Sequence, residues 1–306
     1  MMTYRVGAAA GPTVAGAIAE YYLTDTLRSE TTRAAEYYSG ADVRAAGFWH
    51  NEVINGRLEM GQHQAELRPG LSPEMTNALG LDKPLTVERV ANLLSLKRAD
   101  GSAIEGRQIH RPTEEGKKPP VGFLDLTLSA PKSLSVAWGL ATDENERQEL
   151  LEIHRTAVRK TMEYVAEQVG YTRVGSGRNQ RPEPGEIAWL GFQHYTSRPV
   201  GQDAADMQLH THNIVLPHVM TADGNVRALD LDHLNGRIKE FGYVYQAYVA
   251  RQSRDLGIRV TVNEDHTVRY ADIPDHILEL FSKRTKEALT KADAHAARMG
   301  LDWREL

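Results

Sequence analysis

Two apolar stretches separated by a polar loop lie between residues 187 and 218, and they predict two neighbouring strands. The first reads IAWLGFQH and ends at His194; the second contains LHTHNIVLP, with His210 and His212. Because successive side chains of a strand point to opposite faces, His210 and His212 point the same way. If the two strands pair antiparallel, the three imidazoles converge above one face of a sheet.

Similar patterns predict helices and strands through most of the chain. Helices are predicted from Pro12, Pro131 and Pro274, and over residues 73–79, 86–96, 143–169 and 233–256. Strands are predicted over residues 3–8, 123–129, 257–260 and 267–270, with a hairpin of residues 208–220 and 225–229. Residues 171–184 are basic and rich in glycine, which predicts a turn. No repeat or linker divides the sequence, so we expect a single domain over residues 1–306.

Composition restricts the class of protein. Of the 306 residues, 41% are hydrophobic and 25% are charged, which is typical of a soluble globular protein. No apolar run of about 18 residues predicts a membrane span, and the start lacks a signal-peptide pattern. The absence of cysteine excludes disulfides, thiolate zinc sites and a cysteine nucleophile, and it favours the cytoplasm. A net charge of −5 disfavours general polyanion binding, so a nucleic-acid partner requires a local basic surface.

The three histidines predict a metal site with neutral nitrogen ligands and open coordination positions. A single histidine is more often a satisfied core or surface residue. A His-x-His pair on an apolar strand, with a third histidine upstream, favours metal binding over that alternative. Three imidazoles suit Zn, Mn, Ni and Co, and an open side also admits Mg.

The predicted strand of residues 123–129 carries Asp125 on one face, together with Thr127. A buried aspartate requires a partner, and a histidine ligand or a metal ion is a natural one. Directly after this strand, Pro131 suits the first turn of a helix. Lys132 therefore lies at a helix start, where free backbone N–H groups favour phosphate.

Two basic, turn-rich segments, residues 97–120 and 171–184, are candidates for contacts with DNA. Most segments of this kind are solvated loops; the functional alternative is a hairpin laid on a phosphate backbone. A further arginine in the loop between the histidine strands is a candidate for phosphate near the metal. The candidate DNA-binding residues are Lys132, Arg198, Arg107, Arg111, Arg173 and Arg178.

Two tyrosine doublets near the N-terminus supply candidate nucleophiles. Tyr21 and Tyr22 lie on the first predicted helix, on a face that also carries Val14; Tyr37 and Tyr38 form the second doublet. Tyrosine doublets on amphipathic helices are mostly packing residues, with one ring inside and one outside. Their chemical role therefore depends on the metal site.

A metal site with phosphate-binding groups is compatible with two mechanisms. In a hydrolase, the metal ionises a water molecule that attacks. In a nucleotidyl transferase, the metal polarises phosphate oxygens while a side chain attacks. The pKa of tyrosine is about 10, so a tyrosine nucleophile requires help from the metal or from a base such as Asp125. A phosphotyrosine intermediate conserves the phosphodiester energy, which makes the step reversible.

Several stretches together resemble the MobF family of conjugative relaxases, of the TrwC/TraI type, within the HUH endonuclease superfamily. They are the two tyrosine doublets and the sequences LDLTLSAPKSLSVAW, FQHYTSR, DMQLHTHNIVL and FGYVYQAYVARQSRDLGIRV. The resemblance extends over most of the chain. It implies an α+β fold, with a palm-like central antiparallel sheet flanked by helices. It also implies a helical subregion, roughly residues 230–306, that closes over DNA.

The resemblance implies metal-dependent, site- and strand-specific nicking at a plasmid origin of transfer, which initiates conjugation. A tyrosine attacks the scissile phosphate and stays joined to the 5′ end. Tyr21 corresponds to the first catalytic tyrosine, and Tyr37 or Tyr38 to the second pair. Asp125 corresponds to an aspartate that orients a ligand histidine or assists deprotonation. The implied catalytic residues are Tyr21, Tyr22, Tyr37, Tyr38 and Asp125, and the implied metal ligands are His194, His210 and His212.

The implied partners are single-stranded and hairpin origin DNA, accessory proteins of the relaxosome and a coupling protein. We expect no membrane insertion, and we expect the protein to act in the cytoplasm and to be transferred to the recipient cell as a DNA conjugate. The chain is expected to be the N-terminal part of a longer relaxase–helicase.

Three alternatives remain open from the residues. They are a nickase of the rolling-circle replication initiator type, a metal-dependent phosphodiesterase that uses activated water, and a non-catalytic DNA-binding module. A covalent protein–DNA adduct that requires both metal and tyrosine distinguishes a relaxase from the last two.

Overall fold

The computed structural model describes residues 2–9, 11–28, 66–106, 120–197, 200 and 205–300. Its α-helices are α1 (Pro12–Arg28), α2 (Pro73–Leu79), α3 (Val87–Leu94), α4 (Lys132–Leu140), α5 (Glu144–Val169), α6 (Ile238–Asp255), α7 (Asp275–Leu280) and α8 (Lys283–Met299). Its strands are β1 (Met2–Ala8), β2 (Glu66–Leu67), β3 (Val121–Ser129), β4 (Tyr171–Val174), β5 (Arg181–Thr196), β6 (Met207–Thr221), β7 (Val226–Ala228), β8 (Val260–Val262) and β9 (Val268–Tyr270). The predicted α+β class is confirmed.

The central sheet is antiparallel and has the strand order β1-β3-β6-β5-β2, with β4 paired to β5 and β7 paired to β6. The long hairpin of β5 and β6 forms its centre, as the two apolar histidine-bearing stretches predicted. In this hairpin, His194 lies directly opposite His210. The register shifts just beyond His194, and such irregularities bend a strand and redirect its side chains.

The sheet separates two apolar layers, because successive residues of each strand face opposite sides. Leu124, Leu126 and Leu128 of β3 belong to the layer that contains α4, α5 and α6. Phe123 of β3 and Phe192 of β5 belong to the layer that contains α1, α2 and α3. Asp125 and the three histidines are placed by the same alternation on the side of α1. The candidate chemistry therefore lies on one face, and the larger apolar core supports the other.

Helix α1 packs on the sheet through a stripe different from the predicted one. Ala15, Ala19 and Tyr22 are fully buried or nearly so, whereas Val14 and Tyr21 are exposed. The buried residues follow the helical spacing i, i+4 and i+7. Alanines at two of these positions allow the helix to lie close to the sheet. The apolar character of Val14 suggested a different buried face. One ring of the doublet is consequently inside the protein and the other outside.

Several predicted boundaries were wrong. The strand predicted over residues 257–260 is β8 (Val260–Val262), and two other segments differ at glycines. The basic segment that begins at residue 171 is not a simple turn, because β4 pairs with the start of β5. Its glycines occupy the intervening bend, where Gly175 has a φ of 102°. The helix predicted from residue 233 begins later, at Ile238, after a short 3₁₀ turn and Gly236 with a φ of 78°. In both segments the local backbone conformation at glycine decides the boundary.

The helix predicted from Pro274 is also divided. It consists of α7 and α8, with Phe281 buried at the break between them. Burial of Phe281 against Val136 and Met207 requires a change of direction that the helical pattern alone does not show. Within the described ranges, no helix is long and apolar enough to cross a membrane. The candidate site residues that lie outside the described residues are Tyr37, Tyr38, Arg107, Arg111 and Arg198.

A glycine in the central hairpin provides a test of this fold. A Cβ atom on Gly185 of β5 would overlap the carbonyl oxygen of Met220 on the neighbouring strand. We expect Gly185→Ala to lower the free energy of unfolding by about 1–3 kcal/mol, because backbone atoms must move apart. Chemical denaturation monitored by circular dichroism measures this change.

Gly16→Ala is the matched control. Gly16 lies within α1 and a Cβ there meets no atom within 4 Å. Since alanine is favoured over glycine in a helix by about 1 kcal/mol, this variant should be at least as stable as the parent protein. Equal stability of Gly185→Ala and the parent would contradict the close strand approach described above.

Candidate active site

Three imidazoles converge above the end of the central hairpin, as the sequence predicted. The ring centroids of His194, His210 and His212 are 4.9–5.3 Å apart. One nitrogen from each ring lies within 4.8 Å of the others. In a tetrahedral site with Zn–N bonds of about 2.1 Å, ligand nitrogens are about 3.4 Å apart. Small movements of these side chains therefore suffice to bring all three onto one ion.

Hydrogen bonds hold two of these rings in the orientation that a metal ligand needs. Nδ1 of His210 lies 2.9 Å from the carbonyl oxygen of Gln208, and Nδ1 of His212 lies 2.8 Å from Oδ2 of Asp125. An imidazole Nδ1–H that donates to a carbonyl or a carboxylate leaves Nε2 as the metal-binding nitrogen. Both rings thus have the tautomer and orientation of ligand histidines.

The third ring, His194, is the most enclosed of the three, with only 4% of the residue exposed. Burial lowers its pKa well below the usual value, and the neighbouring His210 and His212 lower it further. The neutral imidazole is the form that binds a metal ion. A donor set of three imidazoles on one face of the sheet therefore fits a divalent transition metal.

A buried carboxylate connects this cluster to α1. Asp125 is 5% exposed and accepts hydrogen bonds at both oxygens. Its Oδ2 accepts from the hydroxyl of Tyr22 at 2.8 Å as well as from His212, and its Oδ1 accepts from the hydroxyl of Thr127 at 3.0 Å. Three donors are sufficient to satisfy a buried carboxylate. The sequence predicted a partner for Asp125, and the structure supplies a histidine, a tyrosine and a threonine.

Tyr22 is a packed residue of this site. It is 2% exposed, and its ring lies 5.4 Å from Phe192 in a stacked arrangement and 5.3 Å from His212. Burial and the adjacent carboxylate of Asp125 raise the pKa of its hydroxyl far above the usual value. A hydroxyl that is enclosed and difficult to ionise is poorly suited to attack a phosphate from solution.

Tyr21, the first tyrosine of the doublet, lies on the open side of the site. It is 36% exposed, and its ring centroid lies 6.4 Å from that of His194 and 5.2 Å from that of Tyr22. Its ring therefore borders the histidine cluster while remaining accessible from outside. The two tyrosines consequently have different environments, which their adjacent positions in the sequence did not reveal.

Lys132 lies at the start of α4, as predicted, but its ammonium group is partly enclosed. Its Nζ donates a hydrogen bond to the carbonyl oxygen of Met207 at 3.0 Å. Burial lowers the pKa of Lys132 to about 8, and the negative charge of Asp206 opposes this decrease. Asp206 is itself buried and accepts a hydrogen bond from the backbone N–H of Lys283, at the beginning of α8. Lys132 therefore lies beside the start of the metal-ligand strand β6.

The two arginines predicted to bind DNA from the β4–β5 hairpin differ in environment. Arg173 forms ion pairs with Asp230 and Asp232. Arg178 lies in the bend of the hairpin and is exposed, and no ion pair involves it among the residues that the structure describes. Of these two predicted residues, Arg178 thus presents its full charge, whereas the charge of Arg173 is largely balanced.

Two residues of the site were not predicted as functional from the sequence. Thr127 bonds Asp125 and also lies 3.0 Å from Nδ1 of His212. Phe192 forms the floor against which Tyr22 stacks. The available signal was strand alternation, which places Thr127 on the same face as Asp125 and Phe192 on the same face as His194.

Comparisons with known proteins agree with this geometry. The family model described as TrwC relaxase matches residues 15–304. The fold is similar to a structure of the conjugative relaxase TrwC in complex with oriT DNA in a metal-bound state, with a TM-score of 0.69 and 27% sequence identity. It is also similar to TrwC bound to a 27-mer DNA with the recognition hairpin and cleavage site, with a TM-score of 0.68 and 26% identity. Both comparisons cover 100% of this chain and 86% of the other chain. No curated protein sequence matches the chain.

The bond between Asp125 and His212 generates a test of the metal site. We expect Asp125→Asn to weaken binding of Ni²⁺ by about 10- to 100-fold, because an amide does not enforce the ligand tautomer as a carboxylate does. Isothermal titration calorimetry of the metal-stripped protein measures the dissociation constant.

Asp82→Asn serves as the control, since Asp82 has a side chain that is 64% exposed and lies in a different part of the chain. This variant should bind Ni²⁺ as the parent protein does. If Asp125→Asn binds equally well, the carboxylate has no role in preparing the ligand.

Proposed function

The chain belongs to the TrwC relaxase family, and on this premise we propose that Tyr21 is the nucleophile with which it nicks one strand of plasmid DNA at an origin of transfer. The observation that carries the assignment is the contrast within the first doublet. Tyr21 is accessible beside the histidine cluster, whereas Tyr22 is enclosed and bonded to Asp125.

The hydroxyl oxygen of Tyr21 attacks the scissile phosphorus and loses its proton. The bond between phosphorus and the 3′ oxygen breaks, the 3′ oxygen takes up a proton, and the 5′ phosphate remains joined to the tyrosine. One phosphodiester replaces another, so the reverse reaction can close the strand. This exchange suits an enzyme that must later rejoin the DNA, and it distinguishes the reaction from hydrolysis.

His194, His210 and His212 would hold a divalent ion, which when bound would polarise the non-bridging phosphate oxygens. Since all three ligands are neutral imidazoles, they would not neutralise the positive charge of the metal ion, which could then attract a phosphate anion. Asp125 is not one of these ligands; it orients His212 and accepts a hydrogen bond from Tyr22. We assign it an orienting role, because both of its oxygens are occupied by hydrogen-bond donors. Zn, Mn, Ni, Co and Mg are all candidates for the ion.

Single-stranded and hairpin DNA of the origin are the proposed substrates. Helix α8 supports the proposal that residues 230–306 form a clamp on DNA, because it is largely exposed and carries Arg284, Lys286 and Arg298. Two further basic residues of this helix, Lys283 and Lys291, pair with Asp206 and Glu287. Lys132 is proposed to contact phosphate near the metal.

We further propose that Tyr37 or Tyr38 ends transfer by a second strand exchange, and that relaxosome accessory proteins and a coupling protein are partners. We also propose that residues 1–306 act as one relaxase domain of a longer relaxase–helicase.

Replacement of each tyrosine of the first doublet tests the nucleophile. Tyr21→Phe should abolish the covalent protein–DNA adduct, because it removes the attacking oxygen. Tyr22→Phe retains the packed ring and should still form the adduct, at a rate reduced by about 10-fold or less, because only the hydrogen bond to Asp125 is lost. Denaturing gel electrophoresis with a panel of single-stranded origin oligonucleotides, with and without chelator, measures the adduct.

The same gels separate the alternatives. Cleavage without an adduct in the parent protein would indicate a phosphodiesterase that uses activated water. Tight binding by fluorescence anisotropy that survives chelation, together with no cleavage on the gels, would indicate a non-catalytic module. An undiminished adduct with Tyr21→Phe would assign the reaction to another tyrosine.

The β4–β5 hairpin provides a test of DNA binding. Arg178→Ala should weaken binding of hairpin origin DNA and reduce the slope of log K against log salt by about one, because one phosphate contact is lost. Arg173→Ala is the matched comparison and should have a smaller effect, since Asp230 and Asp232 already neutralise that guanidinium. Fluorescence anisotropy over a salt series measures both quantities. Unchanged affinity and slope in Arg178→Ala would exclude this hairpin from the interface.

A further inference from the structure

A polar group of three residues lies in the apolar core directly beneath the metal-ligand strand. Thr211 occupies the position between His210 and His212 on β6, and its side chain points to the opposite face of the sheet. Its hydroxyl oxygen lies 2.9 Å from Nε2 of His154 on α5. Nδ1 of His154 lies 2.7 Å from the hydroxyl of Tyr245 on α6. Helix α5 is thus bonded directly to the single residue that separates two of the histidines, and α6 is connected to it through His154.

This group is enclosed on all sides. His154 and Tyr245 are each 0% exposed, and Thr211 is 7% exposed. Burial lowers the pKa of His154 to about 3, and the charges of His210 and Arg155 lower it further. The imidazole is therefore neutral, with one donor and one acceptor nitrogen. The hydroxyls of Thr211 and Tyr245 pair with the two nitrogens of His154, so each of the three side chains has a hydrogen-bond partner.

Packing alone does not account for these residue types. Leu209 and Val215 share this face of β6 and are completely buried in the same apolar cluster. A valine at position 211 would occupy nearly the same volume as threonine without a polar atom. Burying an imidazole and two hydroxyls is less favourable than burying apolar side chains of equal size, unless every partner is present. Buried polar groups whose hydrogen bonds are all formed restrict a core to one arrangement. The hydrogen-bonded group of Thr211, His154 and Tyr245 therefore restricts the position of β6.

We propose that His154 is a positioning residue for the metal centre, which acts through its hydrogen bond to Thr211. Adjacent residues of a strand move together, so a tilt of the backbone at Thr211 displaces His210 and His212 at the same time. His154 attaches Thr211 to α5 directly and to α6 through Tyr245, and it thereby sets the position of His210 and His212 relative to His194. The inference rests on the proposed metal site, and metal–nitrogen distances tolerate changes of only about 0.2 Å.

Two substitutions that break the same bond provide the test, with Ni²⁺ as the probe. Thr211→Val removes the hydroxyl and keeps the volume, and His154→Leu removes the imidazole. Each should raise the dissociation constant for Ni²⁺ by about 10-fold, because outer partners of metal ligands have effects of this order. The double variant should also lie near 10-fold, since both changes remove the same bond to β6, the one between His154 and Thr211. His154→Gln can still present a nitrogen to Thr211 and should recover part of the lost affinity.

Val158→Ala is the control for a loss of stability. Val158 lies one turn further along α5 in the same apolar cluster, so its truncation should lower the melting temperature without changing Ni²⁺ affinity. Isothermal titration calorimetry and thermal unfolding of each variant separate the two effects.

Three results would overturn the inference. The first is a dissociation constant for Ni²⁺ in Thr211→Val equal to that of the parent protein. This variant is expected to fold, because valine and threonine are isosteric. The second is additive losses in the double variant, near 100-fold, which would mean that the two residues act independently. The third is a loss of affinity in Val158→Ala equal to that in His154→Leu. Failure of the parent protein to bind Ni²⁺ would instead refute the metal site itself, together with this inference.

Discussion

The carboxylate of Asp125 is the group on which the arrangement of the site depends. It lies on a central strand where an unpaired charge is unfavourable, and three hydrogen-bond donors satisfy it. One donor is the ligand His212, so the carboxylate selects the tautomer that leaves the other nitrogen for the metal. Another is Tyr22, so the same carboxylate attaches α1 to the sheet and thereby places Tyr21 at the edge of the cluster. Metal ligand and proposed nucleophile are thus positioned by one buried charge.

Strand alternation gives each strand two roles at once. On one face of β6, His210 and His212 belong to the candidate metal site; on the other, Thr211 bonds His154 within the core. The rigidity that a metal site requires can therefore come from residues that never contact the ion. Because α5 packs against the strand from the opposite face, it does not cover the histidines.

The tyrosine doublet illustrates the limit of prediction from pattern. Helical spacing placed Val14, Tyr21 and Tyr22 near one face, and the general tendency of such doublets suggested one ring inside and one outside. Which ring is inside depends on the alanines of the contact stripe, Ala15 and Ala19, because small residues let the helix lie close to the sheet. The pattern of apolar residues predicted the helix, but the close approach of α1 to the sheet determines which face of the helix is buried.

The sequence by itself determined the α+β class, the histidine-bearing hairpin, the shared face of Asp125 and Thr127, and the family resemblance. These features follow from strand alternation and from short motifs, and both are local in the chain. Only the tertiary structure decided which partners Asp125 has, which tyrosine is accessible and how His154 reaches Thr211. These contacts join residues 57 to 103 positions apart, and no local rule specifies such distant pairs. Their geometry arises only when the helices pack on both faces of the sheet.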